Sequence, residues 1–225
     1  MKLICDGKTK SVFDAGPGKV LLKFKDQVTG TGGVIDPGAN SVIGSITGKG
    51  QASLRLSRYF FEKLGVLGIP THYLKADPGA NTLLVKRADT FGQGLEFICR
   101  LEAAGSFVRR YGRYVQGGEP LDYLVEITLK DDQRGDPLIN EEALIRLKLI
   151  NSEEIVRAIE LTRQVAGIVA QECRQSGLDL IDIKLEFGRI EGQVAVIDEI
   201  SGDNMRVRKQ GKTLDQKELC AIICG

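Results

Sequence analysis

The stretch DIKLEFGRIEGQVAVIDEISGDNMR, residues 182–206, is patterned as a strand on one side of a glycine turn and a buried strand on the other. Side chains alternate faces along a strand with a period of two. Asp182, Lys184 and Glu186 therefore share one face, and Ile183, Leu185 and Phe187 share the other. Asp198 follows the apolar run Val194-Ala195-Val196-Ile197, where the strand should be buried. If Glu191-Gly192-Gln193 forms a three-residue loop, Ile190 pairs with Val194 and Glu186 falls opposite Asp198. Like charges directly opposite one another destabilise a ladder, so this register asks for a cation between the two carboxylates.

The chain has 225 residues, enough for one large domain or two small lobes. Its 31 Lys and Arg nearly cancel its 30 Asp and Glu, leaving a formal charge of +1. That balance gives no global field for nucleic acid or an anionic membrane, so any anion recognition must come from local placement. The five cysteines, at 5, 99, 173, 220 and 224, are odd in number and mostly in apolar settings. Cys220 and Cys224 share a helix face but lack nearby His or Cys partners, so they read as reduced packing residues. The first twenty residues contain no apolar signal core, and no run reaches bilayer length. A cytoplasmic chain is expected.

The 27 glycines cluster between periodic segments and read as turns. Residues 1–48 read as short strands, with KTKSVF and VLLKFK forming a hairpin around DAGPGK. From Gln51 the period becomes helical, with Leu56, Phe60 and Leu64 on one face. PTHYLKA, NTLLVKRA and LEFICRLEA read as further strands. The longest helix starts at an Asn151 or Ser152 cap, has Glu153 and Glu154 at its positive end, and stops at Gly177. Strands first, then mixed elements with antiparallel hairpins, predict an α+β fold.

Four constellations could carry chemistry. In Gly7-Lys8-Thr9-Lys10 the two lysines are expected on one strand face, where a polyphosphate would relieve their repulsion; a solvated strand edge explains them as well. Arg100, Ser106, Arg109 and Arg110 surround Ala103-Ala104-Gly105, a set that suits a phosphate or a basic surface helix. Asp131, Asp132 and Asp136 precede a helix, where acids usually cap and turn the chain. Glu186 with Asp198 suits Mg²⁺, which takes one or two carboxylates together with phosphate oxygens and water. Lys184 can pair with Asp182 or with a substrate carboxylate. His72, the single histidine, reads as a hydrogen-bonded packing residue.

Taken together, GKTKSVF (7–13), VKRAD (85–89), RLEAAGSFVRR (100–110), LKDDQRGDPLINEE (129–142), DIKLEFGR (182–189) and DEISGDNMR (198–206) resemble the SAICAR synthetase family of purine biosynthesis. The resemblance implies a two-lobed fold. An N-terminal antiparallel sheet lobe (1–86) would bind ATP, and a larger mixed α/β lobe (87–225) would hold the substrate, with the nucleotide in the cleft between them. It implies that ATP, Mg²⁺, L-aspartate and carboxyaminoimidazole ribonucleotide give SAICAR, ADP and phosphate, and that the enzyme is a homodimer. Lys8, Lys10, Lys86, Glu186 and Asp198 would then bind ATP, with Glu186 and Asp198 on the metal. Arg100, Ser106 and Arg206 would grip the substrate phosphate. Lys184, Asp182 and Asp132 would sit at the reacting carboxylate. The chain departs from the family at Leu101-Glu102 (usually Arg-Asn), at DQVTGTGG, at KGQASL, at Gly202 in Ser-Gly-Asp, and in a missing Trp-Asp and a short C-terminal helix. These departures leave open a paralogue that activates a different carboxylate, or one that binds nucleotide without catalysis.

Overall fold

The period-two segments of the N-terminal third close into antiparallel hairpins in a computed structural model, which describes residues 1–225. In chain order these are β1 (Leu3–Asp6), β2 (Lys10–Asp14), β3 (Lys19–Phe24), β4 (Gln27–Thr31), β5 (Val34–Ile35) and β6 (Val42–Ser45). Helix α1 (Lys49–Val66), β7 (Tyr73–Asp77) and β8 (Thr82–Lys86) follow. The order β1-β2-β3-β8-β7 makes a five-stranded sheet, and β5-β4-β6 makes a separate small one.

The rest of the chain contributes β9 (Asp89–Thr90), β10 (Leu95–Glu102), α2 (Gly105–Tyr111), β11 (Pro120–Leu129), α3 (Glu141–Arg146) and α4 (Ser152–Gln175). It ends with β12 (Asp179–Ile190), β13 (Gln193–Ile197), β14 (Met205–Lys209), β15 (Lys212–Thr213) and α5 (Gln216–Ile223). The order β11-β10-β12-β14-β15, with β9 and β13 also on β12, makes a seven-stranded sheet. The strand pairings are antiparallel throughout, as an α+β fold requires. A single parallel bridge, Thr71 to Val196, ties the segment before β7 to β13. No helix is long and apolar enough to cross a membrane.

Strand β12 is the axis of the molecule. Its apolar face, Ile183, Leu185 and Phe187, is buried in the main core and packs beneath α4. That helix begins as its sequence predicts: Asn151 accepts from the Glu154 amide, and Glu154 accepts from the Asn151 amide, closing a capping box. Val165, Val169 and Cys173 then face inward.

The hairpin register differs from the sequence expectation. The β12–β13 loop has two residues, Glu191 (φ 53°) and Gly192 (φ 80°), so Ile190 pairs with Gln193 and Glu186 lies opposite Ile197. Two successive positive φ angles make the tight turn whose twist matches that of the flanking strands. A three-residue loop is therefore unnecessary. Asp198 falls just beyond the ladder with φ 68°, a left-handed conformation that Asp tolerates better than most residues.

A buried ion pair joins three elements. Lys49, at the start of α1, donates to Asp203 at 2.6 Å, and neither side chain reaches solvent appreciably. Ser53 and Gln216 also donate to the Asp203 carboxylate. Removing one member of a buried pair strands the other charge and typically costs about 3–5 kcal/mol. Lys49→Met is expected to destabilise the fold by that amount, measured as the shift in free energy of chemical denaturation; a change below about 1 kcal/mol would show the pair to be dispensable. Beside it, a Cβ added to Gly202 would lie 2.8 Å from Gln216 Cγ and 3.0 Å from its Cα. Glycine at 202 is what lets α5 seat against this loop.

Candidate active site

The polar face of β12 carries Asp182, Lys184 and Glu186 in a row, and each meets a partner from a different element. At the Glu186 end, Lys130, just after β11, donates to Glu186 at 2.5 Å. Lys10, the first residue of β2, donates to both oxygens of Asp198 at 2.8 Å and lies 2.7 Å from Glu199. Glu199 is fixed in turn by the Ser201 hydroxyl at 2.6 Å. The cations the carboxylates require are thus lysines contributed by both large sheets.

Electrostatics separates the two acids. Burial alone would raise the Asp198 carboxyl, but Lys10 and Lys130 outweigh it and hold Asp198 well below the usual carboxylate range. Burial dominates at Glu186 and pushes it up despite Lys130, with the Asp198 charge adding to the rise. Burial would lower Lys10, yet Asp198 and Glu199 keep it firmly charged. His72 is buried, with Nε2 3.1 Å from the Asp198 carbonyl oxygen. Burial lowers its pKa to about 4, so it is neutral at pH 7. It is a packing residue, as its setting in the sequence predicts.

At the Asp182 end, Arg100 is almost wholly buried and donates to Glu126 at 2.5 Å, Asp182 at 3.1 Å and the Ser106 hydroxyl at 3.0 Å. Arg110 donates to both Glu126 oxygens at 2.7 Å. Arg206 on β14 donates to Asp182 at 2.6 Å and to Asp36. Between the two ends, Lys184 donates to Glu96 at 2.7 Å, and Thr128 also donates to Glu96 at 2.9 Å. Asp182, Lys184, Arg100, Ser106 and Arg206 line one polar cleft together with Glu96 and Asp136.

Two sequence expectations need correction. Lys8 and Lys10 do not share a strand face. Lys8 lies in the bend before β2, where alternation does not apply, and donates to Asp132 at 2.8 Å and Asn40 at 3.2 Å. Of the two partners expected for Lys184, Asp182 or a substrate carboxylate, Asp182 is not the one it takes. Asp182 is taken by the two arginines, and Lys184 turns to Glu96 across the β10–β12 ladder. Lys86 ends β8, where the chain passes from one large sheet to the other, and pairs with Glu191 at the hairpin turn. It is apart from the Lys10 cluster. Asp132 lies in a short 3₁₀ turn capped by Asp131 and pairs with Lys8, and it does not line the cleft.

Sequence reasoning missed Lys130, Glu96, Glu126, Asp36 and Asn40. Lys130 adjoins the Asp131-Asp132 pair already singled out, but its approach to Glu186 depends on β11 and β12 flanking β10. The family departures at Leu101 and Glu102 also find structural roles. Leu101 packs against the core, and Glu102 makes a two-pronged pair with Arg208 on β14 at 2.9 Å each.

The donor set suits a nucleotide-borne metal. No cluster of three or more His, Cys, Asp or Glu residues is arranged for an ion, so the protein alone builds no cage. Glu186 and Asp198 are two carboxylates of the kind that could hold Mg²⁺ when phosphate oxygens and water complete its shell, and each is paired with a lysine, Lys130 and Lys10.

Two glycines wall in Arg206. A Cβ on Gly105 (φ 53°) would lie 2.6 Å from Arg206 Nη2, and one on Gly38 would lie 2.8 Å from it. Gly105→Ala is expected to push the Arg206 guanidinium aside and to strain a left-handed position, a cost of about 1 kcal/mol or more in the backbone alone. If Arg206 grips a substrate phosphate, as the family resemblance implies, the KM for that substrate should rise with ATP kinetics unchanged. An unaltered KM would show that this close approach has no consequence.

The chain matches the SAICAR synthetase family over residues 3–219. The phosphoribosylaminoimidazole-succinocarboxamide synthase of Clostridium tetani is 49% identical over 225 residues, covering 99% of each chain. That of Aquifex aeolicus is 36% identical over 210 residues, covering 92% of each. Among solved structures, a SAICAR synthetase in complex with ADP aligns with a TM-score of 0.84 at 30% identity, over 100% of this chain and 91% of that one. The Pyrococcus horikoshii SAICAR synthetase aligns with a TM-score of 0.81 at 30% identity, over 92% of this chain and 87% of that one.

Proposed function

The chain belongs to the SAICAR synthetase family, and from that premise we propose how its cleft divides the work of the reaction. The enzyme is an ATP-dependent ligase of purine biosynthesis that joins L-aspartate to the carboxylate of carboxyaminoimidazole ribonucleotide, forming SAICAR, ADP and phosphate. The observation that carries the division of labour is the single file of Asp182, Lys184 and Glu186 on β12, with an arginine cluster at one end and a lysine–carboxylate cluster at the other. Four residues of extended strand span roughly 13 Å. That length separates a ribose phosphate from a phosphoryl group poised at the imidazole carboxylate.

In this reading Lys10 holds the ATP phosphates, with Lys8 approaching from the Asp132 side and Lys86 at the crossing between the sheets. Mg²⁺ on Glu186 and Asp198 would draw off charge as it builds on the transferring phosphoryl oxygens. Arg100, Ser106 and Arg206 bind the ribonucleotide phosphate. Lys184 neutralises the substrate carboxylate and orients it, with Asp182 in the same cleft at its arginine end and Asp132 outside it, paired with Lys8. One carboxylate oxygen attacks the γ-phosphorus and ADP leaves. The aspartate amine then attacks the acyl carbon, phosphate departs with that oxygen, and the amine loses its proton as the amide forms. Positioning and charge cancellation supply most of the acceleration such transfer needs.

The partition of the large sheets supports the proposed lobes at 1–86 and 87–225. A homodimer acting in the cytoplasm is the setting we propose, on the family resemblance alone. The departures at Leu101, Glu102 and Gly202 favour retained activity, because each has a packing or ion-pair partner within this chain.

Carboxyaminoimidazole ribonucleotide labelled with ¹⁸O in its carboxylate tests the chemistry. One label is expected in the released phosphate for each SAICAR formed. Unlabelled phosphate beside labelled product would exclude the acyl phosphate.

A further inference from the structure

Every cation lining the arginine end of the cleft already has a carboxylate partner, and one of those carboxylates is unlike the rest. Asp182 and Glu126 are buried, each held between two arginines. Asp36 comes from neither large sheet. It follows β5 in the small β5-β4-β6 sheet and opens the turn Asp36-Pro37-Gly38-Ala39, in which the Ala39 amide donates to the Asp36 carbonyl at 3.0 Å. Its backbone is pinned on both sides to Thr29 of β4: the Asp36 amide donates to the Thr29 carbonyl, and the Thr29 hydroxyl donates to the Asp36 carbonyl.

From that mount the Asp36 side chain reaches across some 170 residues of sequence to accept from Arg206 Nη2. It also stands 3.8 Å from Arg109, whose side chain is 63% exposed and makes no other ion pair. The Asp36 carboxylate retains more exposure, 20%, than Asp182 at 4% or Glu126 at 8%. It is the most exposed of these three carboxylates.

We propose that Asp36 is an affinity-setting residue for the phosphate-bearing substrate: its carboxylate takes the Nη2 donor of Arg206 and stands beside Arg109, and an incoming phosphate must displace it. This rests on the reading that Arg206 binds the ribonucleotide phosphate. Asp36 thereby holds the guanidinium in its glycine slot without a substrate, at the cost of competing with the substrate. Displacement breaks one charge-assisted contact for each one formed, so binding is weaker than the arginines alone would give. It also disfavours small anions that cannot recover the loss through contacts elsewhere in the cleft.

The test compares steady-state kinetics of wild type, Asp36→Asn and Arg206→Ala, with inorganic phosphate as the competing probe. Asn keeps the size of Asp36 and an oxygen to accept from the Gly38 amide, a bond present at 2.9 Å, but carries no charge. Asp36→Asn is expected to lower both the KM for the ribonucleotide and the inhibition constant of inorganic phosphate at least threefold, with the KM for ATP unchanged. An unchanged or raised ribonucleotide KM, in a variant whose ATP kinetics and thermal unfolding match wild type, would overturn the proposal and make Asp36 a plain support for Arg206. If Arg206→Ala leaves the ribonucleotide KM at the wild-type value, the phosphate-site reading itself fails, and the role given to Asp36 fails with it. If Arg206→Ala raises that KM while Asp36→Asn does not lower it, only the inference about Asp36 fails.

Discussion

Asp198→Asn is expected to lower kcat/KM by about 10²–10³, the loss typical when one preorganised electrostatic contact to a developing charge is removed. The substitution is conservative in shape. Asn accepts the left-handed backbone that Asp198 adopts at φ 68°, so the turn after β13 survives. What disappears is one negative charge among Lys10, Lys130 and Glu186. Lys10 keeps only Glu199 as a full counter-ion, and the proposed metal site drops to one carboxylate. Mg²⁺-dependent ATP affinity should fall together with turnover, and some loss of stability will accompany it, because Lys10 and Lys130 lose a counter-ion. Titration of ATP with and without Mg²⁺ reads this directly. Nucleotide affinity equal to wild type in both conditions would refute the metal assignment.

Arg206→Ala is expected to raise the KM for carboxyaminoimidazole ribonucleotide by about 10- to 150-fold and to leave the KM for ATP nearly intact. Hydrogen bonds to charged groups contribute about 1.5–3 kcal/mol each, and each 1.4 kcal/mol is about tenfold. Arg206 lies at the arginine end of the β12 file, away from Lys10 and Asp198, so its loss should not reach the nucleotide. It does leave Asp182 and Asp36 without one shared cation, and some loss of stability will accompany the kinetic effect. Arg206→Lys separates the two contributions. It restores charge between the carboxylates without the planar fork, so stability should recover further than KM. Equal changes in both KM values in Arg206→Ala would mean that the residue does not belong to the phosphate end.

The elements governed by local pattern were legible in the sequence. The start of α4 at Asn151 or Ser152 and the two-faced β12 follow from spacing within a few residues, and the structure adds that Asn151 is the cap and closes a capping box with Glu154. The hairpin was legible as a hairpin, but its register was not, because a Glu-Gly pair can serve either a two- or a three-residue connection. Positive φ at Glu191 decides for the shorter one. Assigning Lys8 and Lys10 to one face failed for a similar reason: β2 begins only at Lys10, and alternation holds within a strand, not ahead of it.

The candidate site was half legible. Its β12 residues, Asp198 and Arg100 are charges in apolar or glycine-rich settings, whereas Arg206 entered only with the family resemblance. Their partners stand out in neither way, because Lys130, Glu96 and Glu126 come from strands whose neighbours are fixed by the order of the sheet. Asp36 was invisible for the same reason, being brought to Arg206 by the small sheet from the far end of the chain.

The most direct test of the central claim is ADP release by the purified protein with ATP, Mg²⁺, carboxyaminoimidazole ribonucleotide and L-aspartate, each omitted in turn. The account predicts turnover to SAICAR with all four present and no SAICAR when any one is missing. Tight ATP binding with no ADP formed in the complete mixture would contradict it, and would mean that the Lys10–Asp198 cluster serves another substrate or none.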